Sequence, residues 1–164
     1  MNKKEVLMTR LAQREQEIQV VRQWATDFNL ACETLFDGLK KFVEGTPATA
    51  SFIHEGNSVN VYDYSLPLRG LQIRHSVAYL SFLKTPQLGG DVPLKSSFFI
   101  TTQGTRAPQI LKGISRIVFD PQRKVWILPQ SVVATGDGPK YVGPELGSEE
   151  FEEMVLEVLA PPPS

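Results

Sequence analysis

From Met1 to Asp37 the chain contains neither glycine nor proline, and this uninterrupted stretch constrains the fold more than any other feature. With no residue there to break the helical hydrogen-bond ladder, the spacing of apolar side chains decides local structure. Leu7, Leu11, Ile18, Val21, Ala25, Phe28, Cys32, Leu35, Leu39 and Phe42 recur at steps of three, four or seven. That spacing predicts one long helix over residues 1–44 carrying a heptad seam. Ile18, Ala25, Cys32 and Leu39 occupy one seam position, and Val21, Phe28, Leu35 and Phe42 the other. Lys4 and Arg14 fall on the seam and weaken its front end.

The residues beside the seam change character halfway. Early flanks are Arg10, Glu15, Glu17 and Arg22, so Arg10 would meet Glu15 and Glu17 would meet Arg22 across a parallel two-stranded pair. Later flanks are Trp24, Ala31, Phe36 and Val43, which widen the stripe into a face suited to packing on a sheet. Residues 3–22 are therefore expected to mediate association through Leu7, Leu11, Ile18 and Val21, and residues 23–44 to belong to the core. Length points the same way: such a helix is about 60 Å long at 1.5 Å per residue, against roughly 40 Å for a compact chain of this size. Another subunit, or a break near Asp27 to Asn29, must deal with the overhang. The unbroken seam phase favours a continuous helix and a homodimer.

After Gly45, a natural helix cap, and Pro47, the period shifts from helix to strand. Residues 50–130 read as an antiparallel sheet. ASFIHE and SVNVYDY, separated by Gly56 and Asn57, suggest a first hairpin. LQIRHSVAYLSFL reads as one strand that bends and becomes buried on both sides, with His75 on its apolar face. KSSFFITT adds another strand. Residues 111–119 and 124–129 flank DPQRK, a type I turn, and predict a second hairpin. QSVVATGDGPKYVGPEL, rich in Gly and Pro, reads as loop. A C-terminal helix is expected over residues 148–160, with Ser148 as N-cap and Met154, Val155, Val158 and Leu159 on its apolar side.

The 164 residues suffice for a single domain, 1–164, with its own core and no need for disulfides. The expected fold class is α+β: a long N-terminal helix packed on an antiparallel sheet of five or six strands, closed by a short C-terminal helix. A helix followed by a bent sheet is similar in architecture to the cone-shaped cystatin and nuclear-transport-factor-like folds, and helix-sheet-helix dimers also occur among secretion chaperones. The likeness lies in the order of elements alone and implies no activity.

Charge is unevenly placed. Residues 1–44 carry seven basic and seven acidic side chains, residues 45–141 ten and five, and residues 142–164 none and six. The acidic end reads as a solvated helix face, within reach of the basic middle. The basic residues of the middle are scattered over strands and loops without a recognition helix or paired aromatic-basic motif, which argues against nucleic acid as partner. No apolar run spans a bilayer, and the N-terminus lacks the apolar core of a signal peptide, so a cytoplasmic, non-membrane protein is expected.

Chemistry-bearing motifs are few. The chain has no GxxxxGK[ST] loop and no GxGxxG after a strand, so no cofactor is expected. One cysteine and two histidines make a poor zinc set, and no metal is expected either. Cys32 lies among Phe28 and Leu35 and reads as a packed core thiol. His54, Asp63 and His75 are the best candidates for proton transfer, should three strand faces converge on one pocket. A core role satisfied by a hydrogen bond is the simpler reading of His75. The loop QGTRAPQ, with Gln103, Arg106 and Gln109, is a candidate contact for a protein partner. The sequence thus points to a non-catalytic, homo-oligomeric protein-binding or regulatory module. The alternative is a small-molecule-binding or proton-transfer enzyme with a pocket between helix and curved sheet.

Overall fold

A computed structural model describes residues 2–53, 58–61, 64–67, 70–85, 99–104, 108–120, 122–136 and 138–161. The first helix, α1, runs without interruption over Lys3–Val43. It begins in a reciprocal cap. The Glu5 backbone N–H donates to Asn2 Oδ1 at 2.9 Å, and the Asn2 N–H donates to Glu5 Oε2 at 3.0 Å, which satisfies two donors that a helix start otherwise leaves open. At the other end Gly45 takes φ +78°, the left-handed conformation that stops a helix at little steric cost. The Thr46 hydroxyl then donates to the Val43 carbonyl at 2.6 Å.

Among the described residues eleven strands follow: β1 (Thr49–Ile53), β2 (Ser58–Val61), β3 (Tyr64–Pro67), β4 (Gly70–His75), β5 (Ala78–Thr85), β6 (Phe99–Gly104), β7 (Arg116–Asp120), β8 (Val125–Ile127), β9 (Ser131–Thr135), β10 (Gly138–Val142) and β11 (Glu145–Leu146). A 3₁₀ turn, Gln109–Leu111, separates β6 from β7, and helix α2, Ser148–Leu159, closes the chain. The α+β class holds, with a helix at each end. The sheet differs in size from the expectation of five or six strands. Seven antiparallel strands form it in the order β1-β4-β5-β6-β7-β8-β11, and β2–β3 and β9–β10 are separate two-stranded ribbons.

Four local expectations are corrected. β1 does not pair with β2 around Gly56 and Asn57; it pairs with β4, Phe52 opposite Leu71, while β2 pairs with β3. Residues 71–83 are not one bent strand. They form two strands joined at Ser76 and Val77, with Ser76 at φ +55° supplying the positive φ that a two-residue hairpin needs at its first turn position. Neither turn residue is Gly, Asn or Asp, so the turn leaves no mark in the sequence. β7 starts only at Arg116, because residues 109–111 wind into the 3₁₀ turn. The expected loop after Gln130 contains the β9–β10 ribbon and β11. There Gly143 allows a close backbone approach: a Cβ at that position would stand 1.8 Å from the Leu128 carbonyl oxygen.

The turn between β7 and β8 follows the sequence more closely. Asp120 Oδ1 accepts from the Gln122 and Arg123 backbone N–H groups at 3.0 and 3.2 Å, so the aspartate organises the turn through its side chain. An exposed ion pair from Arg123 to Glu145 then links the turn to β11.

The core lies between one face of the sheet and the two helices. Leu71, Ile73, Leu80, Phe82, Ile117, Phe119 and Trp126 rise from the strands and, with Leu128 just after β8, join Phe28, Cys32, Phe36, Leu39 and Val43 of α1 and Phe151, Met154, Val155 and Val158 of α2. Phe28 packs its ring 6.2 Å from both Phe119 and Trp126, and Phe36 lies 6.3 Å from Phe82, which in turn lies 6.2 Å from Phe151. These tilted and edge-on pairs suit the ring quadrupole. The far face is polar around β4 and β5: the Gln72 amide donates to the Ser81 hydroxyl at 3.2 Å, and Arg74 lies over the Tyr79 ring.

α2 has Gly147 as its N-cap, not Ser148, and the Glu150 carboxylate accepts from the Gly147 N–H at 2.9 Å. Leu159 is half-buried at the edge of its apolar side. Since full burial of a valine contributes about 1.5–3 kcal/mol and an exposed charge little, Val155→Ser is expected to cost about 2 kcal/mol at any salt concentration. Glu153→Gln should stay within about 0.5 kcal/mol of wild type. Paired urea titrations check the contrast.

Candidate functional site

The apolar face of α1 outlasts the core it serves. At about 100° per residue, Leu7, Leu11 and Ile18 fall on the same side of the helix as the buried Cys32, Phe36 and Val43. From Phe28 onward this side is covered by the sheet and α2. Nearer the N-terminus, Leu7 is 56% exposed, Met8 63% and Leu11 50%, while Ile18 is half-buried. The Val21 side chain lies outside the described residues. The heptad seam of the sequence is therefore two surfaces in line. Its rear half also rotates: Val43, a flank of the seam, is buried, while Phe42 on the seam is 40% exposed, because a straight helix drifts about 20° per heptad away from a strict seven-residue repeat.

Beside that stripe lies a solvent-open cleft of about 430 Å³, bounded by α1 from Asp27 to Leu39, by the start of α2 and by the ends of β7, β8 and β11. Leu30, Ala31, Leu35, Trp126, Leu146 and Phe151 give it an apolar lining. Leu30 is 65% exposed, although it sits among core-facing neighbours. Gly38 opens the wall, since no atom lies within 4 Å of where its Cβ would stand. The rim carries Asp27, Lys124 and Glu152, and Asp27 accepts a hydrogen bond from the Gln23 amide at 3.1 Å. Size and lining suit a bound side-chain cluster or small apolar body. Leu30, Thr34 and Gly38 recur at helical spacing in the sequence, but they fall off the heptad seam, so the seam does not mark them.

Of the proton-transfer candidates, His75 does not line this site. His75 ends β4 beside the Ser76–Val77 turn and is exposed, not a core residue. Its parity matches Leu71 and Ile73, but burial along β4 stops at Ile73. His54 and Asp63 lie outside the described residues. Cys32 is fully buried in the core, as its neighbours in the sequence suggested. Of the loop candidates, Gln103 lies within β6, Gln109 opens the 3₁₀ turn and Arg106 lies outside the described residues. The Gln109 backbone N–H donates to Glu157 of α2 at 2.8 Å, which ties this end of the loop to the C-terminal helix. Among the described residues no group of three His, Cys, Asp or Glu is placed to hold a metal, and no helix is long and apolar enough to cross a membrane.

Compared with protein families, curated proteins and solved structures, the chain matches none. The likeness to cystatin-type and transport-factor-type architectures therefore carries no argument here, and function has to be read from the surfaces of this molecule.

Proposed function

We propose that this protein is a non-catalytic, self-associating binding or regulatory module, in which the front half of α1 joins two copies and the sheet and helices form the body each copy presents. The observation that carries this reading is the continuity of α1. Its rear half is fixed in the core by Phe28, Cys32, Phe36 and Leu39, while the same face continues into exposed Leu7 and Leu11 on an unbroken helix. Exposed leucines arranged in a stripe, unlike scattered ones, favour a partner surface. A second copy is the simplest partner, since each copy brings the same stripe to the contact. Removal of residues 1–22 is expected to leave a cooperatively folded monomer, because none of the core cluster lies in that segment. Light scattering with a thermal melt of the truncated and full chains tests this. A truncated chain that stays dimeric would contradict it.

A further inference from the structure

The two ends of the seven-stranded sheet are not alike. At one end β11 is two residues long, and its Glu145 is ion-paired to Arg123. A short, charged edge of this kind discourages further pairing. At the other end β1 has five residues, TASFI, with no charge, glycine or proline among them. It pairs with β4 on one side and, among the described residues, with no strand on the other. Its side chains alternate. Thr49 and Ser51 are exposed, while Ala50 and Phe52 turn toward the core, where the Phe52 ring lies 6.4 Å from Phe36 and 4.7 Å from Lys40 Nζ. The rear of α1 therefore ends above the outermost strand. Beside that strand opens a groove of about 440 Å³, with Asp37, Lys40, Lys41 and Val43 of α1 as its wall and Ala48 and Ala50 as its floor.

An unguarded strand edge next to a groove under a helix is a setting in which an extended peptide adds to a sheet. Its main chain bonds to the edge, and alternate side chains lodge in the groove. We infer that β1 takes an extended segment of a second protein as the eighth strand of the sheet. The chemistry of that segment follows from the edge. It has about five residues and no proline, with valine-like side chains at alternate positions to pack on Val43, Ala48 and Ala50, and uncharged polar ones between them, level with Thr49 and Ser51. A second copy of this chain fits less well. Two β1 strands paired antiparallel about a two-fold axis lie about 5 Å apart and carry their helices on the same face, yet the helix ending above each is about 10 Å across. The two helix ends would collide and bring Lys40 and Lys41 of both copies together. The site is separate from the front of α1, and its occupation does not depend on whether the chain is one copy or two.

The test uses an acetylated, amidated hexapeptide of alternating threonine and valine, titrated into the full-length chain and followed through the backbone amide resonances. Saturable binding should shift the amides of β1 and of the groove, and slow hydrogen exchange along β1. Successive residues of a strand present their N–H groups to opposite sides. Methylating the amide nitrogens of either the three valines or the three threonines therefore separates main-chain pairing from apolar contact. One methylated peptide should bind about as the parent does, and the other about tenfold or more weakly. If the two bind alike, or if the shifts centre on the α1–α2 cleft, β1 is not the acceptor. The absence of any saturable shift up to millimolar peptide overturns the inference as well.

Discussion

Phe36→Ala is expected to lower the free energy of unfolding by about 3–5 kcal/mol and the melting temperature by roughly 10 °C. Phe36 is fully buried and packs against two strands at once. Its ring lies 6.4 Å from Phe52 of β1 and 6.3 Å from Phe82 of β5, and Phe82 passes the contact on to Phe151 of α2. Truncation removes the ring from water-excluded packing and leaves a cavity that the two helices and the sheet, each held by its own hydrogen bonds, cannot fill by relaxing. Calorimetry of the variant measures the loss. A cost below about 1 kcal/mol would mean that the rear of α1 is not docked on the sheet.

Leu7→Glu combined with Leu11→Glu is expected to weaken self-association by a factor on the order of a thousand or more. Each leucine contributes about 1.5–3 kcal/mol when buried, two-fold symmetry counts each contact twice, and every 1.4 kcal/mol is tenfold in affinity. The effect should be confined to association, because both side chains are at least half exposed in the single chain. Helix content by circular dichroism should be unchanged. Concentration-dependent sedimentation of the double variant against wild type gives the factor. An unchanged dissociation constant would place the interface elsewhere.

The helices were legible in the sequence because each has a long, regular apolar repeat. Phe28, Cys32 and Leu39 lie where the seam put them, and Met154, Val155 and Val158 cover the sheet as their spacing required. Strand pairing was less legible, for physical reasons. β1 and β4 find each other across the separate β2–β3 ribbon, a non-local choice that the Gly56–Asn57 signal cannot announce. The Ser76–Val77 turn uses a serine at positive φ, where local propensity favours glycine or asparagine. The β9–β10 ribbon was hidden by its Gly and Pro residues, although Val132 and Val133 on one side of GDG and Tyr141 and Val142 on the other form a hairpin pattern.

The candidate surfaces divide in the same way. The front of α1 could be inferred from helix length and from the flanking charges. The cleft could not, because it needs Leu30 and Gly38 of α1, Trp126 of β8 and Phe151 of α2 brought together by tertiary packing. His75 shows the converse error: parity along a strand assigns a face, but tertiary packing decides where along it burial ends, here after Ile73.

Sedimentation equilibrium of the full-length chain over a wide concentration range tests the central claim most directly. The account predicts the mass of two chains at micromolar concentration and above, returning to one on dilution. A particle with the mass of a single chain at the highest concentrations reached would contradict it.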